Sequence, residues 1–170
     1  MPSNVKENGF ETLIVKWLVE HNHYEQGMNS DYNKQYAVDE TRLFRFLRGT
    51  QERKLQDLRI LDSPIEKKKF MDRLTRKLSD AGVIEVLRHG MKYKNQTLDF
   101  YMVQPSLGNP DAAEDYQKNI FSVTRQLRYS ENYGKLALDL CVFLNGLPII
   151  DYSGRSAHAL KRVQRMGIAV

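Results

Sequence analysis

One acidic residue lies within the most apolar stretch of the sequence. Asp139 is the single charged residue of the segment LALDLCVFLNG, which begins at Leu136. Strand alternation puts the leucines and Val142 on one face and puts Asp139 and Cys141 on the other. Both faces are otherwise apolar, which predicts a central strand covered on both sides. A carboxylate there costs several kcal/mol if it is ionised and unpaired, so it needs a cation, hydrogen-bond donors or a raised pKa. An arginine partner and a bound metal ion both meet this need.

The turn after this segment sets a register for the next strand. Asn145-Gly146 between apolar residues predicts a two-residue β-hairpin turn. Counting back from the turn, Asp139 faces Tyr152 unless a bulge shifts the pairing by one residue. A magnesium-dependent phosphodiesterase would need a second carboxylate and a lysine beside the first acid. Asp151 is directed to the opposite face by alternation, and the residues after Tyr152 are Ser153, Gly154 and Arg155.

The remaining patterns predict one α/β domain over residues 1–170, with an α+β-like order of elements. Residues 1–82 are predicted to be mainly helical apart from a polar loop at 23–36. Residues 83–152 are predicted to form a mixed central sheet flanked by helices, and residues 153–170 a polar helical tail. The first helix carries an apolar stripe that is predicted to face the core, made of Phe10, Leu13, Ile14, Trp17 and Leu18.

Local signals set the boundaries of these elements. Asp39 is a candidate N-cap of a second helix that ends at Gly49. Ser63-Pro64 is a capping residue followed by a first-turn proline, and it predicts a third helix that ends at Gly82. The next segment, VIEVLRHG, alternates like a strand and is predicted to pair with TLDFYMVQP across a turn at Lys94-Asn95.

Composition excludes several classes of protein. The 26 Lys and Arg residues against 21 Asp and Glu give a formal charge of +5, which permits an acidic partner without requiring one. The single cysteine, Cys141, excludes an intramolecular disulfide and a CxxC zinc site, and is expected to be a buried packing thiol. No apolar run reaches the roughly 20 residues of a membrane span, and the opening residues lack the apolar centre of a signal peptide. We therefore expect a cytoplasmic protein with no membrane partner.

Several long segments, found in the same order, carry a family resemblance. They are FETLIVKWLVEH, SDYNKQYAVDETRLFRFLRGTQ, TLDFYMVQP and LALDLCVFLNGLPII. Together they resemble the N-terminal part of the R (restriction) subunit of a type I restriction-modification enzyme. In that family the region is a nuclease domain with a restriction-endonuclease-like PD-(D/E)xK core. Its sheet carries an aspartate on one strand and an acid-x-Lys on the next.

The resemblance implies roles for individual residues. Asp139 matches the family's metal-binding, catalytic aspartate, which implies an Mg²⁺ site. The family's second acid and lysine fall on Ser153 and Arg155, which do not match them. Glu11 occupies the place of a first-helix glutamate that can approach the site, although a solvated glutamate near the helix start is the alternative. Because the acid-x-Lys is missing, we expect this polypeptide by itself to have an incomplete metal site.

The resemblance also implies partners and a reaction. The intact family member hydrolyses double-stranded DNA in a complex with modification and specificity subunits. ATP belongs to the missing motor part of the parent subunit, since this chain has no G-x-x-x-x-G-K-[ST] loop and no motor domain. The basic residues near the candidate site are expected to contact the DNA backbone: Arg155, Lys161 and Arg162.

Two other functions remain open from the sequence. One is a catalytically inactive DNA-binding or subunit-assembly module, and the other is a folding fragment without activity. The strongly basic third helix has either a solvated face or a face that contacts phosphates. Its cations are Lys67, Lys68, Lys69, Arg73, Arg76 and Lys77.

Overall fold

The computed structural model describes residues 3–104, 110–130 and 136–152 of the chain. Helices and short strands come first, and the long strands follow. In chain order the elements are α1 (Ser3–Asn22), β1 (Glu25–Gly27), a 3₁₀ turn (Asn29–Asp31), β2 (Tyr32–Asn33), β3 (Val38–Asp39), α2 (Glu40–Asp57), α3 (Pro64–Ala81), α4 (Val83–His89), β4 (Met91–Tyr93), β5 (Gln96–Leu98), α5 (Pro110–Gln117), β6 (Phe121–Arg128), β7 (Ala137–Leu144) and β8 (Leu147–Tyr152).

The central sheet is mixed. Its strand order is β1-β6-β7-β8, with β1 parallel to β6 and the other neighbours antiparallel. β7 therefore lies between two strands, which confirms the central strand predicted from its apolar faces. On one face α1 packs through Val15 against Val123 of β6 and Leu140 of β7. α2, α3 and α4 form the largest core cluster with Leu147 of β8. The molecule is a mixed α/β fold whose sheet is flanked by helices.

Side-chain caps begin two of the helices, as predicted. Asp39 Oδ1 accepts a hydrogen bond from the backbone N–H of Arg42 at 2.9 Å, so it caps α2. Ser63 Oγ accepts one from the backbone N–H of Glu66 at 3.3 Å, and Pro64 is the first residue of α3. Both caps satisfy amide groups that a helix leaves without intrahelical partners.

The turn between β7 and β8 has the predicted Asn145-Gly146 geometry. The φ angles are +51° at Asn145 and +82° at Gly146, which is the pair of positive values that a type I′ turn requires. A register shift between Val142 and Phe143 then moves the pairing by one residue, so Tyr152 lies opposite Leu140. The pairing of Asp139 with Tyr152 in the unbulged register is therefore wrong.

The segment after α3 is a helix where a strand was predicted. Gly82 has a φ of +85°, which ends α3 and lets α4 begin at the next residue. Val83 and Val86 are buried at a spacing that suits one helical face. Over so few residues, the pattern of apolar and polar side chains did not distinguish the two-residue period of a strand from the 3.6-residue period of a helix. Strand pairing starts only at β4, and the predicted turn at Lys94-Asn95 does connect β4 and β5.

Two further segments differ from the expectations. α2 continues past Gly49 to Asp57, with a kink at Gln51, and its later part buries Leu55 in the core. The polar segment 23–36 contains β1, the 3₁₀ turn and β2 rather than only a loop.

The face that the first helix turns towards the sheet differs in part from the prediction. Leu13 and Trp17 are 66% and 55% exposed, whereas Glu11 and Val15 are 5% and 4% exposed. The prediction is therefore wrong for Leu13 and Trp17, whereas Ile14 and Leu18 of the predicted stripe are partly buried and pack against the cluster that contains Val15. Glu11 and Val15 are one helical turn apart, and this edge of α1 faces the sheet.

The polar tail at 153–170, which was predicted to be helical, lies outside the described residues. Within the part of the chain that the structure covers, no helix is long and apolar enough to span a bilayer.

Candidate functional site

Asp139 lies on β7 directly opposite Gln126 of β6. The ladder leaves these two residues facing each other between the pairs Arg125–Leu140 and Leu127–Leu138. Gln126 Nε2 donates a hydrogen bond to Asp139 Oδ1 at 3.2 Å. The Asp139 residue is partly exposed, so its carboxylate is neither sealed in the core nor free in bulk solvent.

Glu11 reaches the same amide from α1. Glu11 Oε2 accepts a hydrogen bond from Gln126 Nε2 at 3.1 Å, across 115 positions of sequence. Because α1 begins at Ser3, Glu11 lies in the helix interior and is 5% exposed. The alternative of a solvated glutamate at the helix start is therefore wrong. The structure brings Glu11 and Asp139 together at one nitrogen atom.

The backbone of β6 is irregular at this point. Gln126 has a φ of +47°, within a strand whose other residues are extended. On β7, Leu138 packs in a cluster with Cys141 and Phe143, but Leu140 packs against α1. The prediction that the leucines share one face is therefore wrong. The alternation of side chains fails next to Gln126, where the left-handed residue interrupts the regular pleat.

Asn29 holds the β6 backbone around Gln126. Its Nδ2 donates to the carbonyl oxygen of Gln126 at 3.2 Å, and its Oδ1 accepts from the backbone N–H of Arg128 at 2.7 Å. Asn29 comes from the 3₁₀ turn, so an element before α2 fixes the conformation of a strand near the end of the chain.

Arg125 adds a positive charge beside Glu11. Arg125 Nη2 lies 3.7 Å from Glu11 Oε2, and Arg125 Nε is buried without a hydrogen-bond partner. A divalent ion bound by Glu11 would be repelled by this guanidinium. The amide of Gln126 presents donors, not ligands, to both acids. In residues 3–104, 110–130 and 136–152 no group of three His, Cys, Asp or Glu side chains is placed to hold a metal ion. The described residues therefore do not complete a site for Mg²⁺.

Asp151 and Cys141 are neighbours on β8 and β7. The shifted register pairs them directly. Burial raises the pKa of Asp151. Burial, together with the charge of Asp151, also raises the pKa of the Cys141 thiol, which is 1% exposed. Cys141 is thus the buried packing thiol that was expected, and it is unsuited to act as a nucleophile.

A buried arginine forms a charge network that the sequence analysis missed. Arg42 donates to Asp39 Oδ2 at 2.7 Å, to Asp31 Oδ2 at 3.0 Å and to Glu25 Oε2 at 3.1 Å. It also donates to the backbone carbonyl of Gln26. The three-residue spacing of Asp39 and Arg42 at a helix start was the available signal. The two distant acids come from the segment that was predicted to be a loop.

The network shifts the acidities of its carboxylates in different directions. Burial raises the pKa of Asp31, but a backbone hydrogen bond from Met28 and the charge of Arg42 outweigh burial and leave the pKa below its ordinary value. The pKa of Glu25 is likewise lowered, because Arg45 and Arg42 outweigh burial. Burial prevails at Asp39 and raises its pKa. Through these hydrogen bonds Arg42 joins α2 to β1 and to the 3₁₀ turn.

The basic residues of α3 divide into paired and unpaired cations. Lys67 pairs with Glu40, and Lys69 pairs with Glu66. No ion pair between described residues involves the exposed cations Lys68, Arg73 and Arg76. The predicted DNA contacts Arg155, Lys161 and Arg162, and the position of Ser153, lie outside the described residues.

Comparison with known proteins adds no relative. No family model matches the chain, and neither a curated protein nor a solved structure matches it.

Proposed function

We propose that this chain is a fragment of the DNA-cleavage domain of a type I restriction enzyme R subunit, with a restriction-endonuclease-like core. The intact cytoplasmic enzyme would hydrolyse phosphodiesters of double-stranded DNA with Mg²⁺, in a complex with modification and specificity subunits. By itself, this polypeptide would not cleave DNA, because Ser153 and Arg155 stand where the family has its second acid and its lysine.

The meeting of Glu11 and Asp139 at one amide nitrogen is the observation that carries this proposal. Both residues were selected from motif positions in different parts of the chain, and they come from a helix and a central strand. Two neighbouring carboxylates repel each other, an arrangement that is costly unless donors or a cation offset it. Such pairs are common where a protein binds cations, because Mg²⁺ prefers oxygen ligands.

Restoring the missing pair tests the proposal. The double variant Ser153→Glu/Arg155→Lys supplies an acid-x-Lys at the positions that the motif assigns. We expect the restored protein to nick supercoiled plasmid DNA in Mg²⁺ or Mn²⁺ and the unaltered chain to leave the plasmid intact. Adding Asp139→Asn to the restored variant should abolish nicking, because a neutral amide is a poor ligand for a hard cation.

Two results would contradict the proposal. Circular dichroism and a thermal melt establish whether the restored variant keeps the fold of the unaltered chain. If it is folded but inert, the nuclease function is wrong. If the unaltered chain nicks DNA with Mg²⁺ and Asp139→Asn removes that activity, the incomplete site is wrong.

A DNA-binding module without catalysis is the second candidate, and the unpaired cations Lys68, Arg73 and Arg76 favour it. Phosphate contacts make the logarithm of the binding constant fall linearly with the logarithm of salt concentration. If α3 binds the backbone, Arg73→Ala/Arg76→Ala should reduce the slope by about 1 for each phosphate that is no longer neutralised. Arg53→Ala, which removes an exposed cation of α2, is the matched control. An unchanged slope in the α3 variant would exclude this surface.

A further inference from the structure

We propose that Gln126 is a positioning residue that holds the carboxylates of Glu11 and Asp139 together and so fixes α1 over the central strands. The role of the two acids rests on the proposed function, but the hydrogen bonds that join them do not. Gln126 was not a candidate residue in the sequence, where it lies in an ordinary strand pattern.

The chemistry of an amide suits this task. A glutamine Nε2 carries two N–H groups and can donate to two acceptors at the same time. The distances from this nitrogen are 3.1 Å to Glu11 Oε2 and 3.2 Å to Asp139 Oδ1. A lysine at this place would form an ion pair with one of the acids, whereas a neutral amide can donate to both acids without placing a charge between them.

The backbone at Gln126 is held in a conformation that this residue type disfavours. A positive φ, here +47°, is uncommon for a non-glycine residue. It persists only where surrounding contacts enforce it. Asn29 provides them, because it binds the Gln126 carbonyl and the Arg128 N–H on either side of the distortion.

Asn29 lies in the turn that the buried arginine binds. It belongs to the same 3₁₀ turn as Asp31, whose Oδ2 accepts a hydrogen bond from Arg42. The Arg42 network is therefore connected to the two acids through the backbone of this turn, Asn29 and Gln126.

Nuclear magnetic resonance of the full chain tests the bridge directly. The side-chain amide signals of Gln126 are assigned by their loss in Gln126→Asn, a variant that tolerates the positive φ but is one methylene shorter. We expect Glu11→Gln and Asp139→Asn each to shift the Gln126 amide signals. The amide of Gln26, an exposed residue of β1 whose side chain makes no hydrogen bond among the described residues, is the internal control. If neither substitution moves the Gln126 signals, the bridge is wrong.

The activity arm uses the restored variant Ser153→Glu/Arg155→Lys. In that background, Gln126→Asn should reduce kcat for plasmid nicking on the order of 10²-fold, because small misplacements of reacting groups are that costly. The KM for DNA should stay unchanged, since Gln126 is proposed to act only through the two acids. Equal kcat values with and without Gln126 would overturn the positioning role. If the restored parent is inert, the proposed function fails, and the amide signals alone decide whether the bridge exists.

Discussion

The backbone N–H of Asp39 donates a hydrogen bond to the carbonyl oxygen of Gly146 at 2.9 Å, so the turn between β7 and β8 is joined to the start of α2. A Cβ at Gly146 would lie 2.4 Å from the Asp39 carbonyl oxygen and 2.6 Å from the Leu43 nitrogen. The neighbouring Asn145 is fully buried and donates to the carbonyl oxygen of Phe100 at 2.9 Å. The hairpin turn therefore packs against the start of α2 and also connects β7 to β8.

Gly146→Ala should destabilise the protein severely. The new methyl group would overlap backbone atoms of α2, and the φ of +82° is strained for alanine. Together these effects should lower the free energy of unfolding by about 3 kcal/mol, measured by urea denaturation. Gly49→Ala is the matched control, because a Cβ there meets nothing within 4 Å. That helical substitution should stabilise by roughly 0.5–1 kcal/mol. Similar values for the two variants would contradict the close contact.

Arg42→Met should cost about 3–5 kcal/mol of unfolding free energy, the usual penalty for removing one partner of a buried ion pair. The substitution keeps most of the side-chain volume but leaves Asp39, which is 2% exposed, without its guanidinium partner. Arg48→Met removes an exposed cation from the same helix and should change stability by less than about 1 kcal/mol. Chemical denaturation of both variants gives the comparison, and equal losses would show that the network contributes no more than a surface charge.

The lowered pKa of Asp31 predicts how stability depends on pH. A carboxylate with a depressed pKa in the folded state contributes stability that is fully present above the unfolded pKa and is lost as pH falls through the folded pKa. The urea midpoint of the native chain should therefore fall below roughly pH 4. Asp31→Asn should be less stable at pH 7 and should lose less on acidification, because its hydrogen bonds to Arg42 and Met28 no longer depend on ionisation. Parallel pH profiles for the two proteins would exclude this linkage.

Short-range signals made much of the fold predictable. The Ser63 and Asp39 caps depend on residues within one helical turn, and the Asn145-Gly146 turn depends on two adjacent residues with positive φ. The predictions that were wrong concern features that depend on tertiary contacts. Residues 83–89 alternate as a strand would, but burial of Val83 and Val86 on one side makes them a helix. The extension of α2 past Gly49 similarly goes with burial of Leu55 in the core.

The candidate site was predictable only where a motif marked it. Asp139 stood out because it is a lone charge in an apolar strand, and Glu11 was selected by family resemblance alone. Their meeting was expected only from the resemblance, because the predicted apolar stripe included Leu13 and Trp17, which the structure leaves exposed, and did not include Glu11 or Val15. Gln126 left no signal, since neither its left-handed backbone nor its contact with Asn29 is encoded by neighbouring residues.

The orientation of α1 can be checked with the single tryptophan of the chain. Trp17 is 55% exposed and stacks on His21, with ring centroids 5.4 Å apart. If Glu11 and Val15 face the sheet, Trp17 must face solvent, because a helix cannot turn both edges inward. Iodide should therefore quench the native fluorescence nearly as well as it quenches N-acetyltryptophanamide, and the emission maximum should move little when urea unfolds the chain. His21→Gln should change the native intensity by removing the stacked ring and leave the unfolded intensity as it was. A blue-shifted, poorly quenched native spectrum would mean that Trp17 is in the core, and then Glu11 could not reach Gln126.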